Sequence, residues 1–423
     1  MGVLLLTTSL LLAILPTPPI QRPVAEDFVG VWQTEAGLLE LNVYGDGILG
    51  RCGGPDYLDP LECSRLWGKV VEDELVLDYI DPEGTGSARL RLDQGGGLVG
   101  SWEADEPSEE GGEWRGTLVP DVQPSSPFTG LWETNYGRLR LAGPAHDVVG
   151  TYEFGFGNQL SGSVRDGVLH YTYTEEAGTG GGEFLLNNDG SRIRGHWTEH
   201  GDSGKFPWFG RRVVSDPEAV WLVVLEAPWE ENLREPEYAF GDMLRGFFRM
   251  SAGRHVKVRQ RSFHDLQDFE RFASEVNFLA EPTVLVIASH GMPTGIAVND
   301  SLIGPESVAK GLRAAEHVRL LHLSGCSLMH GDFSEKLHAA LPARTQVPIS
   351  GYSADVDWDS SAIADFVFLS LVILRGLSPM DALAESHQSA PFTGASTVEG
   401  AEFAALGLEV RMPGGLSPKR LPR

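Results

Sequence analysis

Cysteine is scarce, with three in 423 residues. That count excludes a disulfide-framed miniature fold and a cysteine-rich zinc module, so the cores must come from apolar packing. Cations are also few: 33 Lys and Arg stand against 59 Asp and Glu, for a formal net charge of -26. Such a field repels nucleic acid and anionic lipid and attracts basic partners, so no nucleic-acid ligand is expected. Long apolar runs are missing too. Residues 3–15 form a charge-free run of 13, short of the ~20 residues a spanning helix needs, and it stands where an export signal belongs. No Lys or Arg precedes it, and Pro16, Pro18 and Pro19 follow in place of a small-residue cleavage site. Residues 1–22 read as a signal peptide and the protein as secreted or periplasmic, with membrane contact only if that segment stays uncleaved.

What is present is an internal duplication followed by a change of pattern. Phe28, Gly30, Trp32, Thr34 and Gly37 return as Phe128, Gly130, Trp132, Thr134 and Gly137, an offset of 100. Gly100-Ser-Trp102 returns as Gly195-His-Trp197, and Trp114-Arg-Gly116 as Trp208-Phe-Gly210. Each copy, residues 28–119 and 128–213, alternates apolar and polar residues in short segments separated by turns such as Asp46-Gly47 and Asp189-Gly190. That pattern predicts about eight antiparallel strands per copy, enough to close an up-and-down barrel. The opening Gly-x-Trp is similar to the first strand of avidin and lipocalin barrels. The barrel mouths would suit a small ligand or protein, whereas Trp32, Trp102, Trp132 and Trp197 have a plainer reading as core plugs. Between the copies, residues 120–127 are rich in Pro and Ser and predict a semi-extended spacer.

From residue 219 strands alternate with helices, which predicts an α/β domain over 219–392 with a mainly parallel sheet. Strands are expected near residues 220–225, 255–259, 283–288, 318–324 and 347–352. Helices are expected over 238–250, 265–278, 305–315, 333–341, 361–374 and 379–389. A small hairpin is expected around Asn299-Asp300, and residues 411–423 read as a disordered tail.

Two of these strands stop at catalytic residue types. One ends in Ser289-His290-Gly291 and the other in Ser324-Gly325-Cys326. As neighbours in one sheet they would bring His290 and Cys326 to a shared crevice at the carboxyl edge, where ligands of open α/β sheets sit. Nucleophilic acyl transfer needs such a set: a thiol, an imidazole to take its proton, and amides of Gly291 and Cys326 to hold an oxyanion. The order strand-Ser-His-Gly, hairpin, helix, strand-Gly-Cys resembles the caspase-like cysteine peptidases, a clan that includes caspases, metacaspases, separases, gingipains and CHAT domains. The likeness spans residues 219–390 and implies His290 as general base, Cys326 as nucleophile, and protein or peptide as substrate. The Gln-Ala-Cys-x-Gly signature of animal caspases is absent, so Asp-directed specificity is not implied.

After the fifth expected strand come Asp355, Asp357 and Asp359. Asp355 or Asp357 at the base of the first substrate pocket would select Arg or Lys, as in the metacaspase, separase and gingipain relatives. Asp359 instead reads as a helix cap. The dyad chemistry calls for no metal or other cofactor. His322, Cys326 and His330 lack the further ligands and spacing of a zinc site. Cys52 and Cys63 are close enough in sequence to pair in an oxidising compartment, leaving Cys326 as the odd thiol. Two rival functions remain open: a ligand-binding protein that uses its barrels beside a catalytically silent domain, and a non-proteolytic hydrolase or acyltransferase using the same dyad.

Overall fold

A computed structural model describes residues 23–54, 64–106, 111–153, 158–201, 203–230, 234, 239–251, 255–299, 301–342, 345–394 and 405–413. The signal segment, Cys63 and nearly all of the expected tail lie outside them. Strands β1 (Gly30–Thr34) to β8 (Gly112–Leu118) close one antiparallel barrel, and β9 (Gly130–Thr134) to β16 (Phe206–Arg212) close a second. The first strand of each pairs with both the second and the eighth, which completes the ring.

The duplication extends to single hydrogen bonds. The Trp32 indole donates to the Phe28 carbonyl at 3.0 Å and Trp132 to Phe128 at 2.9 Å, and the Thr34 and Thr134 hydroxyls donate to the Gly37 and Gly137 carbonyls. Trp32 and Trp132 are buried, as core plugs should be, while Trp102 and Trp197 are half-buried against the same cores. Tyr152, Phe184 and Trp208 also fill the second barrel, their rings meeting edge to face at 5.3 and 5.2 Å. The interior is therefore largely side chain.

Residues 120–127, expected as a semi-extended spacer, are tied down to the first barrel. Ser125 and Ser126 are buried, and the Ser125 amide and carbonyl bond to Glu40 and Asn42 of the first barrel. Polar groups of one strand thus staple the connection down.

The third unit is a six-stranded sheet. In chain order its elements are β17 (Ala219–Glu226), α1 (Phe240–Met250), β18 (His255–Ser262), α2 (Leu266–Val276) and β19 (Thr283–Ala288), then a three-stranded flap of β20 (Gly291–Met292), β21 (Gly295–Val298) and β22 (Ser301–Ile303). There follow α3 (Pro305–Gly311), β23 (Val318–Ser324), α4 (Phe333–Ala340), β24 (Ile349–Tyr352), α5 (Trp358–Ile373), α6 (Pro379–Ser389) and β25 (Leu408–Arg411). The strand order is β18-β17-β19-β23-β24-β25, parallel except for β25. Both sheet faces are apolar because helices cover both. Val223, Leu225, Leu285 and Ile287 pack with residues of α2, α3 and α4, and Val220, Leu222, Val224 and Val286 with those of α1, α5 and α6. That is why these strands read as unbroken apolar runs.

Barrel two grips this unit through the end of α2. Arg140, 1% exposed, donates through Nε to the Asn277 carbonyl at 2.8 Å and through a second nitrogen to the Leu279 carbonyl. Arg138 reaches the Phe278 carbonyl at 2.7 Å. These carbonyls follow the last turn of the helix, where cations are favoured. Replacing Arg140 by Ala would leave buried acceptors without a donor, at a cost of about 1–3 kcal/mol; the shift of the denaturation midpoint against wild type measures it.

Candidate active site

Three strand ends lie level in the sheet. Glu226 of β17 is the register partner of Ala288 of β19, which in turn partners Ser324 of β23. The ladder runs on past them, with the Ala227 amide on the Ala288 carbonyl and the Ser289 amide on the Ser324 carbonyl. Trp229, His290 and Cys326 therefore leave the sheet at one edge, within three residues of the aligned row.

The His290-Gly291 and Gly325-Cys326 turns press together. A Cβ added at Gly291 would lie 2.5 Å from the Cys326 carbonyl oxygen and 3.0 Å from its amide nitrogen; one at Gly325 would lie 2.5 Å from the Ser289 carbonyl oxygen and 3.5 Å from the Gly291 nitrogen. Only glycine permits this approach. Ser327, next to the thiol, is held at φ 54°, a left-handed conformation unusual for a side-chain-bearing residue, and its hydroxyl donates to Asp355 at 2.7 Å.

His290 is exposed, and its Nε2 sits 3.0 Å from the Trp229 carbonyl. A carbonyl only accepts, so Nε2 carries the proton and Nδ1 of a neutral ring keeps its lone pair. The Trp229 ring meets the imidazole edge-on at 5.3 Å. Cys326 is part-buried; its thiol donates to the Val356 carbonyl and accepts from the Val356 amide, both at 3.4 Å. Imidazole and thiol are thus each hydrogen-bonded to backbone rather than to each other.

Of the two acids expected in the first pocket, Asp355 is exposed and adjoins the thiol through Val356 and Ser327. Asp357 caps α5: its carboxylate accepts from the Ser360 amide at 3.1 Å and hydroxyl at 2.5 Å, which holds it below the usual carboxylate range. The cap expected at Asp359 falls two residues earlier because Ser360 offers both donors to Asp357. Cys52 is buried at the end of the third strand of barrel one, and its expected partner Cys63 lies outside the described residues.

Two groups of residues were not anticipated. Beneath the Cys326 turn, the fully buried Asp365 of α5 accepts from His322 Nε2 at 2.6 Å, Ser324 Oγ at 2.7 Å and Tyr352 Oη, while His322 Nδ1 meets Ser350 Oγ at 2.8 Å. Burial, then Asp365, pushes the Tyr352 phenol well above its ordinary value. His322 is therefore a buried link between strand and helix, as its position inside a strand suggested. The second group is Glu226, which ends the apolar run of β17 at the same edge as His290 and Cys326. A carboxylate closing such a run was the available signal.

No family model matches the sequence, and no curated protein does. Among solved structures, pro-Sf-caspase-1 is similar over 46% of this chain and 91% of its own, at 9% identity and a TM-score of 0.31. HpuA from Kingella denitrificans, solved in complex with human haemoglobin, is similar over 48% and 93%, at 13% identity and a TM-score of 0.16. Likenesses this slight carry no functional weight; the chemistry has to come from the site itself.

Proposed function

We propose that the protein is an exported cysteine endopeptidase of caspase-like type, with Cys326 as nucleophile and His290 as general base. The observation that supports this most is the contact of the two turns: His290-Gly291 and Gly325-Cys326 are backbone neighbours at the carboxyl edge of a parallel sheet, and each carries a residue able to do acyl-transfer chemistry. In this mechanism the Nδ1 lone pair of His290 takes the Cys326 proton, and the thiolate, supported by the Val356 amide, attacks the scissile carbonyl carbon. Amides of Gly291 and Cys326 stabilise the oxyanion. The protonated imidazole then passes its proton to the leaving amine, and water releases the acyl group from sulfur. Asp355 is the pocket carboxylate in this reading and favours Arg or Lys at the scissile position, since Asp357 is engaged as a helix cap. The barrels, their interiors filled, serve as scaffold or as protein-recognition modules.

The test is active-site labelling of the purified protein with Arg-directed and Asp-directed peptidyl acyloxymethyl ketones. One equivalent of the Arg reagent should attach, and none should attach to Cys326→Ala. Asp355→Asn should lose the preference for Arg while still taking label. Labelling that survives Cys326→Ala, or fails in folded wild type with and without calcium, overturns the peptidase reading and moves the function to the barrels.

A further inference from the structure

Glu226 is 4% exposed, yet four donors converge on its carboxylate. Oε1 accepts from the Phe240 amide at 2.8 Å and the Trp229 indole at 3.1 Å; Oε2 accepts from the Gly241 amide at 3.1 Å and Gln260 Nε2 at 2.7 Å. Phe240 and Gly241 open α1, so the helix N-terminus adds its positive end to the site. Burial pushes the carboxyl up from its ordinary value, and these hydrogen bonds oppose that push. Taking a charged group out of water is costly, and the sheet core beneath offers apolar neighbours for an apolar residue here. The same bonds cap α1, whose N-cap residue Ala239 offers no side-chain acceptor, so Glu226 serves the fold as well as the segment that follows β17.

What Glu226 fixes is the segment that holds the imidazole. The Ala227 amide still bonds to the Ala288 carbonyl, and Trp229 lies three residues past the end of β17. Trp229 is tied to Glu226 through its indole, packs edge to face with His290, and gives its carbonyl to His290 Nε2. We propose that Glu226 is a positioning residue of the active site: through Trp229 it fixes the carbonyl that sets the tautomer and orientation of His290. The catalytic consequence rests on the peptidase reading, whereas the restraint on the imidazole does not. Without the anchor the Trp229 carbonyl moves freely, the Nε2 proton exchanges with water, and Nδ1 is aimed at the thiol for a smaller fraction of the time.

Two readouts separate these claims. In proton–nitrogen NMR spectra of the full chain labelled at histidine, the His290 Nε2 proton should be protected from exchange. Glu226→Ala should lose that protection, Trp229→Phe, which keeps an aromatic ring and the carbonyl but removes the indole donor, should lose most of it, and Glu226→Gln should restore much of it. With a cleavable Arg ester, Glu226→Ala should lower kcat by about 10-fold to 100-fold with little change in KM. Glu226→Ala and Trp229→Phe combined should be no worse than the more severe single variant. Unchanged His290 exchange in a folded Glu226→Ala or Trp229→Phe protein, or fully additive effects on kcat, overturns the inference. The expected NMR result in a wild-type protein that neither cleaves nor takes label overturns the peptidase reading and leaves the restraint standing.

Discussion

Replacing His290 by Ala is expected to lower kcat/KM for peptide cleavage by about 10²-fold to 10⁴-fold, the usual contribution of a general base. The loss should fall on kcat, because the imidazole is exposed at the sheet edge and bonded to a backbone carbonyl, so removing it leaves the fold intact. The thiol keeps the Val356 amide, which still favours the thiolate, so slow alkylation of Cys326 by a small reagent such as iodoacetamide should persist. The contrast is diagnostic: cleavage requires a proton to reach the leaving amine, whereas alkylation does not. A variant that cleaves within about threefold of wild type would exclude His290 as the acid–base group.

Asp365→Ala should be the most damaging single change to stability, costing about 3–5 kcal/mol, the range for breaking a buried, hydrogen-bonded charge network. It strands the ring N–H of His322 and the hydroxyl of Ser324 where water cannot replace the lost acceptor, while the Tyr352 hydroxyl keeps the Ser361 carbonyl at 3.0 Å. Asp365→Asn retains an acceptor at the same place and should cost less. Those donors lie on β23 and β24 directly ahead of the Cys326 turn and the segment bearing Val356, so the damage should reach the site. Denaturant unfolding of the α/β unit, read alongside labelling of Cys326, measures both. A loss below about 1 kcal/mol would mean that water or repacking satisfies the orphaned groups.

How far the sequence exposes this arrangement depends on the range of each signal. Strands such as residues 283–288 are legible because burial on both faces demands a continuous apolar run, and the Gly after each marks where the chain must pass close to another backbone. The barrels are legible because one wall faces water and forces alternation, and because the motif recurs. Asp365 is not legible: it sits in an apolar helix, and its partner His322 is 43 residues away, so nothing local marks it as paired. Glu226 shows only as a carboxylate closing an apolar run, its donors coming from a helix start, a neighbouring strand and an indole. The closing strand β25 is four residues, too short for a periodic pattern, and carries the sheet beyond residue 392 to Arg411. The start of α5 moved by three residues because Asp357 rather than Asp359 caps it.

The arginines reaching from barrel two also bear on where this polypeptide could be divided. A chain starting at Ser215 would retain both residues of the proposed dyad together with Glu226 and Trp229. It would also uncover the carbonyls of residues 277–279 and the small apolar seam of Ala142, Val149 and Ala314. Nor could the first barrel stand in for the second. At the position of Arg140 it carries Glu40, which already holds Arg51 and the Ser125 amide, and a carboxylate facing those carbonyls would repel them. After duplication the copies kept one architecture and took opposite charges at one matched position, so one secures the connecting segment and the other docks the α/β unit.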